Sequence, residues 1–334
     1  MKPVPVKRRE LLALGLASLL AAVARPLRAF AQAKYPDRPI KLIVPFAAGG
    51  VVDLIARLWS EQMKNLLGTV VIENQGGGGG TLGAGEVARA APDGYTLLLG
   101  NTSTLVINPI VMQKVPYDPV KDFAAVTVVA ISATCVVVHE SVPVKTLAEF
   151  VAYAKKNAAK LSYGSAGAGT LTNLAGEMFK QQTGTPEIVH VPYKGAGPGI
   201  ADLVSGHIPF MTPNVTGQLL DLHRTGKVRI LAVLAPTRLK GAPEIPTAVE
   251  QGMPGLVAQL FNAIFVPAAT PKPVVDQIAQ ATTKALADAE FQQALIKAGF
   301  EPVLDSSPTK AKAFVDAEHE RLIPIIKAAG LKVG

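Results

Sequence analysis

The sequence predicts an α/β fold in two similar halves, because short apolar strands alternate with helices and each half contains a strand, a glycine loop and a helix. The chain has 334 residues, of which 49% are hydrophobic and 17% charged. At about 150 residues per domain, this length predicts two domains that each bury a core. The composition excludes a disordered or fibrous chain.

The first 31 residues have the three parts of an export signal. The basic residues Lys7, Arg8 and Arg9 precede an apolar run over residues 11–23 and the triplet Ala29-Phe30-Ala31. The apolar run is shorter than the about 20 residues that a membrane-spanning helix needs. We therefore expect cleavage after Ala31 and a soluble mature chain, exported by either the general secretory or the twin-arginine route.

The first half begins with a β-branched run at residues 40–44, which Pro45 ends. A glycine loop follows, and residues 51–59 are apolar at helical spacing. The pattern then repeats, which predicts parallel β-α-β units. The repeat consists of a strand at 70–73, a loop at 76–80, a helix at 82–90 and a strand at 95–99.

The second half starts near Val142, where Thr146 and Glu149 have the spacing of a helix cap. A strand at 162–164 leads to a second glycine loop and a helix at 171–183. Three terminal helices are predicted at 273–287, 289–298 and 308–329. The other predicted elements are strands at 187–191, 208–212 and 229–234, and a helix at 198–205.

The net charge of +8 does not indicate a particular class of binding partner, because much of it lies in residues 1–31. No Lys/Arg stripe with interleaved aromatic residues follows, so nucleic-acid binding is not expected. Cys135 lies in an apolar run, which predicts a buried structural thiol. The histidines occur singly, so neither a metal site nor a bound cofactor is expected. They are His139, His190, His207, His223 and His319.

Two glycine patterns resemble nucleotide-binding loops without their essential partners. Residues 78–83 match G-x-G-x-x-G, but Asn101 stands near the place of the ribose-binding acid. Residues 164–170 have P-loop glycine spacing, but Thr170 replaces the lysine. No G-x-S-x-G elbow surrounds Ser165, since Tyr163 stands two residues before it. Export also removes NAD and ATP from the expected ligands.

Two loops remain as candidate anion sites: the first loop (residues 45–50) and the second loop (residues 165–170). Each lies between a strand and a helix, where backbone N–H groups and the helix dipole favour phosphate or carboxylate. Neither carries a nucleophile with a base beside it in the sequence, which predicts a binding protein rather than an enzyme. Asp53 either complements the dipole or contacts the ligand, and Thr170 either caps its helix or binds.

Ordered motifs over essentially the whole mature chain resemble the Bug-type substrate-binding proteins of tripartite tricarboxylate transporters. They are Tyr35-Pro36-Asp37-Arg38-Pro39-Ile40, Val44-Pro45-Phe46-Ala47-Ala48-Gly49-Gly50 with Asp53 and Ala56-Arg57, Glu73-Asn74, Pro92-Asp93-Gly94-Tyr95, Tyr117-Asp118-Pro119, Tyr163-Gly164-Ser165, Gly169-Thr170, Val191-Pro192-Tyr193-Lys194-Gly195 and Gly252-Met253-Pro254-Gly255.

This resemblance implies a two-lobed periplasmic-binding-protein fold (type II-like) with two crossover strands between the lobes. Lobe one is expected at residues 32–138 plus 260–334 and lobe two at 139–259, with hinges near 136–141 and 259–263. The implied role is capture of a carboxylate in the periplasm for delivery to a membrane permease. A monomer without catalytic activity is expected.

The resemblance also implies which residues contact the carboxylates. Those of the first loop are Phe46, Ala47, Ala48, Gly49 and Gly50, with Asp53 beside them, and those of the second loop are Ser165, Ala166, Gly167, Gly169 and Thr170. Asn101 and Ser103 represent a third lining segment, residues 101–104. Val52 and Asn173 depart from the family pattern, which affects ligand choice at those points.

The expected ligand is a small dicarboxylate, because two opposed helix N-termini each favour one negative charge. An acidic amino acid and an aromatic carboxylate are the less favoured ligands. Two other functions stay open on the sequence alone: a ligand-sensing partner of a signalling protein, and an exported hydrolase.

Overall fold

The computed structural model describes residues 35–331, which fall into two units divided between Asp37 and Arg38. Residues 35–37 of the first unit contain neither helix nor strand. The predicted export signal and its cleavage site at Ala31 lie outside the described residues. Within residues 35–331, no helix has both the length and the apolar character needed to cross a membrane.

Six strands of the second unit form the first sheet. They are β1 (Ile40–Val44), β2 (Val70–Asn74), β3 (Thr96–Asn101), β4 (Phe123–Ala133), β10 (Gln259–Pro267) and β11 (Phe300–Pro302), numbered in chain order. Their order across the sheet is β11-β4-β10-β3-β1-β2. β1 pairs in parallel with β2 and β3, whereas β10 is antiparallel to both β3 and β4.

Five strands form the second sheet. They are β5 (Cys135–His139), β6 (Ser162–Ser165), β7 (Val189–Pro192), β8 (Phe210–Met211) and β9 (Val228–Val233), in the order β7-β6-β8-β5-β9. β6 is parallel to β7 and β8, and β5 is antiparallel to β8 and β9. The predicted parallel β-α-β units are confirmed by the pairing of β1 with β2 and β3 and of β6 with β7. The strands next to the crossings, β4, β5 and β10, pair antiparallel with their neighbours, which the sequence pattern did not predict.

The chain passes between the two sheets twice, and the two crossings are hydrogen-bonded to each other. The first crossing is at Thr134, and the second ends at Ala258, just before β10. The N–H and Oγ1 of Thr134 both donate to Ala258 O, at 3.0 and 2.9 Å. Leu234 N donates to Thr134 O at 2.8 Å, and Ala258 N donates to Leu234 O at 2.9 Å. The predicted hinges and the lobe boundaries at 138 and 259 stay predictions, since strand pairing does not measure which residues move together.

The helices cover the faces of the two sheets. Among residues 35–331 the α-helices are α1 (Val51–Leu66), α2 (Thr81–Ala88), α3 (Asn108–Val111), α4 (Leu147–Asn157), α5 (Leu171–Thr183), α6 (Ala196–Val204), α7 (Gly217–Arg224), α8 (Lys272–Leu286), α9 (Ala289–Lys297) and α10 (Pro308–Ala328). Thr146 caps α4 as predicted, accepting the Glu149 N–H at 3.1 Å.

Each sheet packs against its helices through large buried side chains. Trp59 on α1 is fully buried and donates its indole N–H to Thr282 Oγ1 on α8 at 3.1 Å. In the second sheet, Phe150 lies 5.3 Å from Phe179 and 4.9 Å from Phe210, measured between ring centroids. Cys135 is buried, which confirms the predicted structural thiol, and burial raises the pKa of that thiol.

Candidate functional site

The first loop presents open backbone N–H groups at the start of α1. Gly49 has a φ of 82°, a left-handed conformation that favours glycine. Gly50 precedes α1, and no side chain caps this helix. Within the described part of the chain, the N–H groups of Ala47, Ala48 and Gly50 have no protein acceptor. An uncapped helix N-terminus with exposed amides is the geometry that binds a carboxylate.

Asp53 holds the first loop rather than facing away from it. Its side chain is only 2% exposed, and it accepts the Gly49 N–H at 2.9 Å. Arg57 donates Nε and Nη2 at 2.8 and 3.0 Å, and Asn74 donates Nδ2 at 3.0 Å. Burial alone raises the pKa of Asp53, but the hydrogen bonds from Arg57, Gly49 and Asn74 outweigh it and lower the pKa. These contacts give Asp53 a positioning role.

The second loop differs from the first because its own side chains satisfy most of its backbone. The donor and acceptor pairs are Ala166 N with Thr172 Oγ1 at 2.9 Å, Gly167 N with Ser165 Oγ at 3.1 Å, and Gly169 N with Asn173 Oδ1 at 3.2 Å. Ala168 is the exposed residue of this loop, and within residues 35–331 its N–H has no protein acceptor. The two predicted anion loops are therefore unequal.

Thr170 caps α5, which supports the capping alternative for this residue. Its Oγ1 accepts the Asn173 N–H at 3.3 Å and donates to Gly167 O at 2.6 Å. The side chain is thus occupied by the loop and the helix to which it belongs.

Replacing Thr170 by alanine should lower the free energy of unfolding by about 1 kcal/mol through the lost cap. The affinity for a carboxylate should fall only about threefold, since the loop loses support and the ligand loses little direct contact. Chemical denaturation and calorimetry measure the two effects. Thr146→Ala removes the cap of α4 and is the matched control, with a similar loss of stability and unchanged affinity. A hundredfold loss of affinity for Thr170→Ala would contradict the capping role.

Residues 101–104 connect the two loops. The Leu171 N–H, which follows the second loop, donates to Ser103 Oγ at 3.1 Å. On the other side, a Cβ on Gly80 would lie 2.5 Å from Thr104 Cγ2 and 3.0 Å from Phe46 Cζ. The half-buried Phe46 ring of the first loop therefore packs beside the same segment. The structure brings all three predicted segments together.

Asn101 adds a buried hydrogen-bond donor to this region. Its Oδ1 accepts the Thr104 N–H at 3.1 Å, and the residue is fully buried. Its Nδ2 has no partner within residues 35–331, and neither has Oδ1 of Asn262, which lies opposite in the β3–β10 register. A buried amide with spare capacity beside two anion loops can bind a ligand or an ordered water.

One sequence inference needs correction: the second loop does have a base beside its serine. Ser165 Oγ lies 2.7 Å from His190 Nε2, because β7 pairs with β6 and brings His190 next to Tyr163. The geometry does not favour a nucleophile, since Ser165 is fully buried and its Oγ also bonds to Gly167. The other ring nitrogen of His190 faces the Asn173 amide rather than a carboxylate.

Other supporting residues had no predicted role. Arg57 and Asn74 occurred in matching motifs, and only the folded loop shows that both donate to Asp53. Asn74 Nδ2 also donates to Phe46 O at 3.1 Å, which fixes the start of the loop. Within residues 35–331, no group of three or more His, Cys, Asp or Glu side chains is arranged to hold a metal ion.

Two mixed sheets are joined by two crossings, and from each sheet a loop at the start of a helix lies near residues 101–104. This arrangement is that of the periplasmic solute-binding proteins. The model of the TctC family, described as "Tripartite tricarboxylate transporter family receptor", matches residues 55–331. The chain belongs to this family and is of the Bug type. Bug-type proteins are periplasmic and are substrate-binding proteins, not enzymes.

Three solved structures illustrate the relationship. The periplasmic binding protein BugD is 34% identical, with a TM-score of 0.83 over 89% of this chain and 99% of that chain. Rpa4515 of R. palustris, solved with adipate, is 32% identical, with a TM-score of 0.85 over 89% and 99%. MatC (Rpa3494) of Rhodopseudomonas palustris, solved with bound malate, is 30% identical, with a TM-score of 0.81 over 87% and 100%.

Proposed function

We propose that this chain captures a small dicarboxylate between the first and second loops and delivers it to the membrane permease of a tripartite tricarboxylate transporter. The observation that carries the proposal is the uncapped start of α1, where Ala47, Ala48 and Gly50 present free N–H groups. Main-chain donors at the positive end of a helix dipole stabilise one carboxylate without any basic side chain.

The second carboxylate has fewer donors available to it. Two free donors among the described residues are available to it, the exposed Ala168 N–H of the second loop and the buried Asn101 amide. A molecule with a carboxylate at each end gains at both loops, whereas a monocarboxylate gains only at the first. Adipate and malate, the ligands named for two relatives, are both dicarboxylates.

Three further proposals accompany this function. Residues 1–31 direct export and are removed after Ala31, and the mature chain acts as a monomer. The lobes at 32–138 plus 260–334 and at 139–259 close on the ligand about hinges near residues 136–141 and 259–263. The loop residues of the first and second loops, with Asp53, Asn101 and Ser103, form or position the ligand site.

Calorimetry on the mature chain tests the ligand class. The probes are adipate, malate, citrate, the monoamides of adipate and malate, aspartate and glutamate, with a neutral sugar as the blank. We expect a dicarboxylate to bind about tenfold or more tightly than its monoamide, because the amide loses a charge-assisted hydrogen-bonding end.

Two outcomes would contradict the proposed ligand. Equal affinities for dicarboxylates and their monoamides would remove the argument from two anion loops. Binding of acidic amino acids alone would make the less favoured ligand the correct one. Uptake of a labelled dicarboxylate should also require both this chain and the permease, and uptake that is unchanged without the chain would favour a sensing role.

A further inference from the structure

His190 lies at the centre of a hydrogen-bond network behind the second loop. Its ring stacks on Tyr163 with the centroids 4.8 Å apart, at an angle of 21° between the ring planes. Nε2 lies 2.7 Å from Ser165 Oγ, and Nδ1 lies 3.4 Å from Asn173 Nδ2. Ser165 and Asn173 in turn accept the N–H groups of Gly167 and Gly169. His190 is therefore one side chain away from both glycines of the second loop.

The neighbouring groups determine which ring nitrogen carries the proton. Asn173 Oδ1 accepts the Gly169 N–H, so its Nδ2 must be the atom that faces His190 Nδ1. The same Nδ2 donates to Tyr163 Oη at 2.7 Å, and Tyr163 Oη donates to Glu177 Oε1 at 2.7 Å. An amide NH2 group can only donate, so Nδ1 is an acceptor and Nε2 carries the hydrogen toward Ser165 Oγ.

A second proton on His190 conflicts with this arrangement. Protonated Nδ1 would place its N–H against the Asn173 amide NH2, so that two donors face each other. Rotation of the Asn173 amide would relieve the conflict, but the Gly169 N–H would then lose its acceptor. The second loop is therefore held in its present form only while His190 is neutral.

The charged and titratable groups around His190 are few among the described residues. Glu177 and Lys180 on α5 face the ring, and Tyr163 on β6 covers it. Glu177 is paired with Lys180 at 3.0 Å, which limits its attraction for a proton on the histidine. Burial lowers the pKa of His190, Glu177 raises it and Lys180 lowers it, and the pKa is lower than usual.

A cavity beside the His190 ring gives it access to protons from solvent. It has a volume of about 220 Å³ and is lined by Ala168, Asn173, Glu177 and His190, with residues 329–331 after α10 on the opposite side. Within the described residues, this opposite side carries no charged side chain. The cavity therefore connects the free N–H of the second loop, at Ala168, with the titrating ring.

We propose that His190 is a positioning residue whose neutral form holds the second loop ready for its carboxylate, and that acidification releases the ligand by protonating this ring. The proposal rests on the proposed function, because it assigns a pH response to the same ligand site. Protonation of a ligand carboxylate also weakens binding at low pH, so the test compares variants with the same ligand.

The test is calorimetry with adipate between about pH 7.5 and pH 5, on the mature chain and on two histidine variants. His190→Gln keeps a donor in the place of Nε2 and cannot titrate, so the test compares, for each protein, the ratio of its affinities at the two pH values. Between the higher and the lower pH the wild type should lose about tenfold more affinity than His190→Gln loses. His223→Gln, which removes another partly buried histidine, should follow the wild type at both values.

A second readout does not depend on the ligand. Nitrogen NMR of His190 should show the Nε2–H tautomer and a pKa below the usual value for histidine. The unliganded wild type should also lose stability relative to His190→Gln as the pH falls through about 6.5, where the unfolded chain takes up the proton. Equal pH dependence of adipate binding in wild type and His190→Gln, or an Nδ1–H tautomer, would overturn the proposal. If adipate fails to bind any variant while the tautomer is as assigned, the ligand class is wrong instead.

Discussion

Gly176→Ala should lower the free energy of unfolding by about 3 kcal/mol, because α5 packs so closely on Tyr163 of β6 that no space remains for a methyl group. A Cβ on Gly176 would lie 2.1 Å from Tyr163 Cε2 and 2.4 Å from Cζ. The ring cannot move away easily, since it stacks on His190 and its hydroxyl bonds to Asn173 and Glu177. Urea denaturation followed by circular dichroism measures the change.

Gly197→Ala is the matched control for this substitution. Gly197 lies near the start of α6, and nothing lies within 4 Å of a Cβ built there. Its replacement should change the free energy of unfolding by less than about 1 kcal/mol. If Gly176→Ala is as stable as Gly197→Ala, the rigid packing of Tyr163 against α5 is incorrect.

Asp53→Ala should weaken dicarboxylate binding by at least about tenfold, and should lower the free energy of unfolding by about 2 kcal/mol. The substitution removes the acceptor that holds the Gly49 N–H, the Asn74 amide and Arg57, so the first loop loses its fixed form. Calorimetry and urea denaturation measure the two effects. Glu61→Ala on the same helix removes only an exposed ion pair with Lys64 and should change neither.

The pH dependence of this effect has a defined sign. The pKa of Asp53 is lower in the folded chain than its usual value, so its contribution to stability is present above about pH 4 and is lost as the pH falls below it. The stability difference between wild type and Asp53→Asn should shrink over that range. If Asp53→Asn instead abolishes only amino-acid binding and leaves dicarboxylates unaffected, Asp53 contacts an ammonium group of the ligand.

Local sequence patterns predicted most elements near the site. A β-branched run followed by Pro45 and two glycines predicts a strand, a loop and a helix, and β1, the first loop and α1 occur there. For Thr170 at the start of an apolar period, capping was one of two alternatives, and it caps α5. These features depend on neighbours within one or two turns, which is the range over which sequence patterns are informative.

Features that depend on pairing between distant strands could not be predicted in this way. The antiparallel entry of β10 follows from the second crossing, and nothing within the apolar run at residues 259–267 encodes its direction. The contact between Ser165 and His190 likewise requires β7 to pair with β6 in one register. A single histidine in a strand carries no signal of that partner.

The difference in free N–H groups between the two anion loops also could not be predicted from the sequence. Both loops have glycines, follow strands and precede helices, so both predict free N–H groups. The second loop is followed by Thr172 and Asn173, whose side chains turn back and occupy its backbone. The first loop has only Asp53, which takes the single N–H of Gly49 and leaves its neighbours open.

Amide NMR of the mature chain during a titration with adipate shows whether one ligand carboxylate binds the main chain of the first loop. We expect the amide protons of Ala47, Ala48 and Gly50 to move downfield as they acquire a charged acceptor, and Gly49, already bonded to Asp53, to move least. Saturating adipate that leaves these three amides unchanged while resonances elsewhere shift would contradict carboxylate binding at this loop.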